Sequence, residues 1–229
     1  MGVTADVKEG LRDALGAIHL VRHGQASFGS DNYDALSVRG HEQARALGYA
    51  WEAAGWLPTH AVSGSMQRHH ETALGALSAA GQDEGYDVDG GWNEFDHESV
   101  LRAFHEGETP TDPREFQGSF ATATGRWTGG EANEECAETF TEFSDRVLGA
   151  FERAVASNGK GGDTAVFTSG GVVAVVASHL VAGNQSLWSA FNHVAINAGV
   201  TKVVTGRSGR SLLSFNEHTH LLADHVTYR

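Results

Sequence analysis

Ala17-Ile18-His19-Leu20-Val21-Arg22-His23-Gly24 is the stretch whose reading decides the fold: a short apolar run that ends directly at an arginine, a histidine and a glycine. Such a run suits a buried strand, and its last three residues suit a loop beyond the strand end. Two further junctions of this kind follow. Thr59 to Ser63 reads as a second strand, followed by Gly64-Ser65 and a helix through about Ala80. Thr164 to Thr168 reads as a third, followed by Ser169-Gly170-Gly171 and a helix, Gly171 to Ala182, that is apolar on nearly all sides and so buried. Between the first two strands, Ser37 can cap a helix over roughly His41 to Ala54, which Gly55 terminates. Glu134 to Ser157 has helical periodicity through Ala137, Phe140, Phe143, Val147, Leu148 and Phe151. Val194 to Val204 and Ser211 to Phe215 read as a closing hairpin around Gly206 to Gly209, with Ile196 to Gly199 breaking the first arm. Strands alternating with helices predict an α/β fold, a three-layer α/β/α sandwich with a mostly parallel mixed sheet.

The 229 residues fit one large domain over positions 1–229. Residues 1–15 read as a short polar lead. Glu106 to Gly130 carries Pro110, Pro113 and many Gly and Thr residues, which predicts a surface insertion or lid over about 107–130 and no core element. A hydrophobic fraction of 40% leaves ample material for a core. The net charge of −13 argues against nucleic acid or an anionic membrane as partner, since both need a basic surface. A phosphate pocket remains open, because it needs only two or three local cations. The single cysteine, Cys136, sits among acidic neighbours that raise a thiol pKa, and it reads as inert. No apolar leader precedes the first strand, and the longest mostly apolar stretch, Gly171 to Gly183, is too short to span a bilayer. A cytoplasmic address is expected by elimination. No residue pattern decides the oligomeric state, and a homodimer is compatible with the chain.

Ligands in such sheets bind beyond the carboxyl ends of the strands. If the three strands are neighbours, their loops bring together Arg22, His23, Arg68 and the backbone N–H groups of Gly170-Gly171 and other helix starts. Arginine forks match phosphate oxygens in pairs, and helix N-termini add partial positive charge. Thirteen histidines invite a metal reading, yet no paired spacing such as His-Glu-x-x-His occurs, and neither a metal nor another cofactor is expected.

An Arg-His-Gly tripeptide alone says little. In order and at matching distances, however, the apolar strand, Arg22-His23-Gly24, Asp34-x-Leu36-Ser37-x-x-Gly40-x-x-Gln43-Ala44 and Ser63-x-x-x-x-Arg68-x-x-x-Thr72-Ala73 closely resemble the histidine phosphatase superfamily, the phosphoglycerate mutase-like family. The resemblance runs from about residue 17 to the C-terminus, includes Asn216-Glu217-x-x-His220-Leu221 and is weakest across the 107–130 insertion. It implies that His23 attacks phosphorus and becomes phosphohistidine, and that Arg22 and Arg68 hold the phosphoryl oxygens. Glu94, in Trp92-Asn93-Glu94-Phe95, falls where the family keeps the acid that protonates the leaving oxygen; burial beside the aromatic residues would supply the raised pKa this needs. Gln25, Ser169 and Gly170 are expected to line the substrate side, and Asn197 and His220 to serve structurally around the pocket. The resemblance also places a second histidine before the paired glycines, where this chain has Ser169. Losing one preorganised donor typically costs on the order of 10²–10³ in rate.

Other readings stand beside these. Arg68 also suits a structural ion pair, and Asp96 or Glu98 could take the role of Glu94. His69 or His70 can reach the pocket in place of the absent histidine, although packing is the plainer role for both. For the whole chain, the expected activity is a metal-independent phosphomonoesterase acting on a phosphorylated small molecule. The alternatives are a phosphate-binding relative with little turnover and, below it, a phosphoglycerate mutase, which wants more basic residues than this first loop supplies.

Overall fold

The structure is a computed structural model that describes residues 15–27, 32, 34–82, 85–105, 112–131, 135–159, 161–206 and 209–228. Residues 1–14 of the polar lead, the loop around Phe28, the first stretch of the insertion and the residue at which the sequence starts the long helix lie outside those residues. Contacts gather into two compact units, residues 1–93 with 147–229, and residues 94–146.

In the first unit, β1 (Gly16–Arg22), β2 (His60–Ser63), β3 (Asp87–Val88), β4 (Asp163–Thr168), β5 (Val200–Gly206) and β6 (Gly209–Glu217) form one sheet in the order β3-β2-β4-β1-β5-β6. The pairs β3-β2, β2-β4 and β4-β1 are parallel; β1-β5 and β5-β6 are antiparallel. The sheet is therefore mixed, with helices on both faces, as the alternation of strands and helices predicts. Because β2, β4 and β1 are adjacent and parallel, their carboxyl ends lie at one edge. The register puts Ser63 opposite Phe167 and Arg22 opposite Thr168, so the three loops leave the sheet at nearly the same level.

Two helices, α1 (Val38–Ala53) and α2 (Gln67–Ala79), pack together on one face. Leu47, Trp51, Ala73, Ala76 and Leu77 meet the alternate strand residues Val21, Ala61, Ala165 and Phe167 there. Strand side chains alternate between faces, so Ile18, Leu20 and Val166, all fully buried, belong to the other face. Ser37 caps α1 by accepting the Gly40 N–H at 3.1 Å, and Gly55 follows the helix with φ +61°, a left-handed turn that favours glycine. The predicted break in the hairpin is real: Ile196 to Gly199 forms a turn before β5, and Ala198 takes φ 57°.

The second unit corrects two expectations. Within the supposed insertion, Pro113–Thr128 is a helix, and its Ala123 and Trp127 are buried. We number the helices of this region α3 (His97–Phe104), α4 (Pro113–Thr128) and α5 (Phe140–Ser157). Phe95, Trp127, Phe140 and Phe143 build a small aromatic core, with ring centroids 4.6 Å apart for Phe95 and Trp127. Burial of large rings outweighs the low helix propensity of the Gly and Thr residues around them. The helix expected from Glu134 begins instead at Phe140. Thr139 and Glu142 form a reciprocal cap: the Glu142 N–H donates to Thr139 Oγ1 at 3.2 Å, and the Thr139 N–H to the Glu142 carboxylate at 2.8 Å. Two further helices, α6 (Gly170–Ala182) and α7 (Trp188–Val194), complete the chain order, and α6 packs against α7, β1 and β6. Among the described residues, no helix is long and apolar enough to cross a membrane.

Candidate active site

His23 leaves the end of β1 with its backbone held on both sides. Its N–H donates to Thr168 O at 2.8 Å, and its carbonyl accepts from the Ala198 N–H and from Asn197 Nδ2, each at 3.2 Å. The imidazole is buried, and its Nδ1 lies 2.7 Å from Gly24 O. A carbonyl can only accept, so Nδ1 carries the proton and Nε2 presents its lone pair. Burial holds the pKa of His23 well below the ordinary histidine value, helped by the positive charges of Arg68 and Arg22 and by His69. The ring is thus neutral near pH 7 and has one nucleophilic nitrogen.

The rest of the motif explains itself as scaffolding for that ring. The Gly24 N–H donates to Thr72 Oγ1 at 3.0 Å, and that hydroxyl donates to Arg68 O at 2.7 Å, which ties the His23 loop to the first turns of α2. The Gln25 N–H donates to Gln43 Oε1 at 2.8 Å, and Ser37 Oγ donates to Gln25 Oε1 at 3.0 Å. Gln25 therefore ties the loop to α1 through its backbone N–H and to Ser37 through its side-chain carbonyl. Gly24 and Gly40 pack backbone on backbone, which accounts for the glycine at each of those motif positions.

Arg68 is buried on α2, and its Nη1 donates to Asp34 Oδ1 at 2.6 Å. The structural ion pair and the placement beside His23 are therefore both true of it. Arg22 points its Nη1 at two backbone carbonyls, Ala195 O and, at 2.9 Å, Tyr228 O. Its Nε lies beside Gly170, where an added Cβ would stand 3.3 Å away. The two charged heads are thus oriented by fixed acceptors, a preorganisation that phosphoryl recognition needs.

Ser169 follows β4 directly, one residue past the last pair of β4 and β1, Thr168 with Arg22, and His23 is one residue past it on β1. It is fully buried, and its Oγ lies 2.6 Å from Nε2 of His69, itself fully buried. The ring centroids of His69 and His23 are 5.8 Å apart. The plainer reading of His69 as packing alone thus misses where its nitrogen goes. His70 turns away, with Nδ1 3.1 Å from the Tyr86 hydroxyl. Glu94 is half-buried and lies in the second unit, with its carboxylate accepting from the Phe95 N–H at 3.3 Å. Asn197, placed structurally by the sequence, contacts the His23 carbonyl, while His220 is half-buried and its pKa is pushed down to about 4, chiefly by burial.

Sequence reasoning does not reach the role of residues 225–228. Gln43 Nε2 donates to His225 O at 2.7 Å and Thr227 Oγ1 at 2.9 Å, and Thr227 Oγ1 donates to Asn197 Oδ1 at 2.9 Å. A stretch of mixed polar residues carries no periodic signal for such bonds. Among the described residues, no group of three or more His, Cys, Asp or Glu side chains is arranged to hold a metal ion.

The profile of the histidine phosphatase superfamily (branch 1) matches residues 18–218. Among solved structures, the chain is similar to a phosphoglycerate mutase from Bacillus anthracis, with a TM-score of 0.66 and 18% identity over 92% of this chain and 97% of that one. It is also similar to a mycobacterial glucosyl-3-phosphoglycerate phosphatase, with a TM-score of 0.66 and 18% identity over 89% and 99% of the two chains. An Entamoeba histolytica phosphoserine phosphatase variant in complex with phosphoserine has a TM-score of 0.67 and 16% identity over 90% and 100%. At these identities the likeness is one of fold. No curated protein matches the sequence.

Proposed function

The chain belongs to the histidine phosphatase superfamily, and from that membership we propose that it hydrolyses phosphomonoesters of small molecules through a phosphohistidine on His23. The observation that carries the proposal is the tautomer of a buried His23, fixed by Gly24 O, within reach of the charges of Arg68 and Arg22. The Nε2 lone pair attacks phosphorus in line; the N–P bond forms as the bond to the leaving oxygen breaks. Water then attacks the phosphohistidine, the N–P bond breaks, and inorganic phosphate leaves. Arg22 and Arg68 neutralise the charge on the equatorial oxygens in both steps. The chemistry needs no metal. On the resemblance, Glu94 supplies the proton to the leaving oxygen and takes one from the attacking water.

The test is hydrolysis of para-nitrophenyl phosphate in the presence of EDTA, with the intermediate caught by rapid quench and intact mass. Wild type is expected to turn over and to gain one phosphoryl mass, and His23→Ala to do neither. Equal rates in the two proteins would sink the proposal. Phosphate binding without phosphohistidine would identify a binding protein instead. Glu94→Gln is expected to accumulate less intermediate with alkyl phosphates than with the better para-nitrophenyl leaving group, since only the former need a proton.

A further inference from the structure

Ser169 occupies the residue just before α6, where a serine ordinarily accepts a hydrogen bond from an N–H two or three residues on. It makes no such cap. Its hydroxyl is drawn instead to His69 Nε2, 2.6 Å away and 100 residues earlier in the chain. Both side chains are fully buried. Burial and the charge of Arg68 hold the pKa of His69 well below the ordinary value, so the ring is neutral and has one N–H. Among the described residues, its Nδ1 has no hydrogen-bond partner. A buried N–H left unpaired is rarer than an unpaired acceptor, which puts the proton on Nε2 and the lone pair on Nδ1. Nε2–H then donates to Ser169 Oγ, and the serine's own proton is left to point elsewhere. Ser169 and His23 each stand one residue past the last pair of β4 and β1, Thr168 with Arg22, and the His23 N–H donates to Thr168 O at 2.8 Å.

We propose that His69 and Ser169 work as one donor: His69 orients the Ser169 hydroxyl, which donates a hydrogen bond to an equatorial oxygen of the phosphoryl group travelling to His23. No proton changes owner; the pair stabilises charge that develops in the transition state. Ser169 is the catalytic residue and His69 a positioning residue. The inference rests on His23 being the phosphoryl acceptor. It turns the serine at the third junction from a missing donor into half of a paired device, whose imidazole stands on α2.

The experiment is rapid-quench measurement of phospho-His23 formation from para-nitrophenyl phosphate in wild type, Ser169→Ala, His69→Leu, the Ser169→Ala/His69→Leu pair, and the exchange His69→Ala/Ser169→His. Leucine fills most of the imidazole volume, and unfolding curves confirm that each protein folds. Ser169→Ala and His69→Leu are each expected to slow formation by about 10²–10³, the usual cost of one such donor. Since His69 acts only through Ser169, the pair is expected to be no slower than Ser169→Ala by more than about threefold. Ser169→His alone would crowd His69 and lose rate, whereas the exchange variant would regain at least a tenth of it. Folded His69→Leu with wild-type rate, or losses that multiply in the pair, would overturn the inference. Wild type that forms no phosphohistidine would instead overturn the nucleophile assignment itself.

Discussion

Asp34 grips Arg68 and its helix together: Oδ1 accepts from the Arg68 guanidinium at 2.6 Å, while Oδ2 accepts from the N–H of Gln67 at 2.7 Å, at the start of α2. The carboxylate fixes the head of the side chain and the backbone from which it springs. Asp34→Ala is therefore expected to lower kcat/KM by about 10- to 100-fold, because small misplacements of a positioned group cost that much. Asp34→Asn, which keeps one acceptor, should fall between it and wild type. The Asp34 side chain is 39% exposed, so melting temperature should move far less than activity. Steady-state kinetics beside thermal melts would show this, and an equal loss in both would contradict it.

The backbone contact between Gly24 and Gly40 leaves no room for a methyl group. A Cβ on Gly40 would lie 2.2 Å from Gln25 O, and one on Gly24 would lie 2.4 Å from Gly40 O. Gly40→Ala must push the His23 loop and α1 apart, at a cost of about 1–3 kcal/mol. Urea unfolding measures the cost, and the same variant should lose activity out of proportion to the fraction unfolded.

Thr227→Val keeps shape and deletes the hydroxyl that joins Gln43 to Asn197. Two polar atoms lose a partner, which predicts a loss of about 1–3 kcal/mol in stability. It also predicts slower phosphorylation of His23, since Asn197 holds the His23 carbonyl. Chemical unfolding and rapid quench check the two halves separately.

Activity and stability should depend on pH in the same sense. The pKa of His23 is depressed, so the lone pair is present above the ordinary histidine value and is lost only as pH falls through the lower folded value. The acid limb of kcat/KM due to His23 is expected well below about pH 6.5, the ordinary histidine value. In the unfolded chain His23, His69 and His220 regain ordinary values and take up protons that the fold refuses. Stability is thus full above about pH 6.5 and declines as pH falls, for His220 until about pH 4. Urea midpoints on either side of that window should show this, and His220→Leu should flatten the difference.

Much of the site is visible in the sequence because its pieces are local. A strand, a turn and a capped helix each announce themselves within a few residues, so Arg22, His23, Ser37, Arg68 and Ser169 all fall at element ends on sequence alone. What cannot be read is anything decided by distant packing. The helix Pro113–Thr128 is concealed by its glycines and threonines, and only the burial of Ala123 and Trp127 explains it. The start of α5 does carry a local signal, because Thr139 and Glu142 have the spacing of a capping box, and the longer apolar periodicity from Glu134 masks it. The bond between His69 and Ser169 follows from no local rule, since α2 and the end of β4 meet only once the sheet is paired.

The bond from Arg22 to the carbonyl of Tyr228 closes a span of 206 residues. A ribosome delivers the His23 loop long before the residue that anchors its arginine. A nascent chain can pair β1 with β4 once Thr168 has emerged, yet it still lacks both carbonyls, Ala195 O and Tyr228 O, that hold the guanidinium. Loop-closure entropy for so long a span grows only slowly with length, so the delay comes from translation and not from thermodynamics. A product truncated before Tyr228 would carry the His23 loop without one of the two carbonyls that hold Arg22.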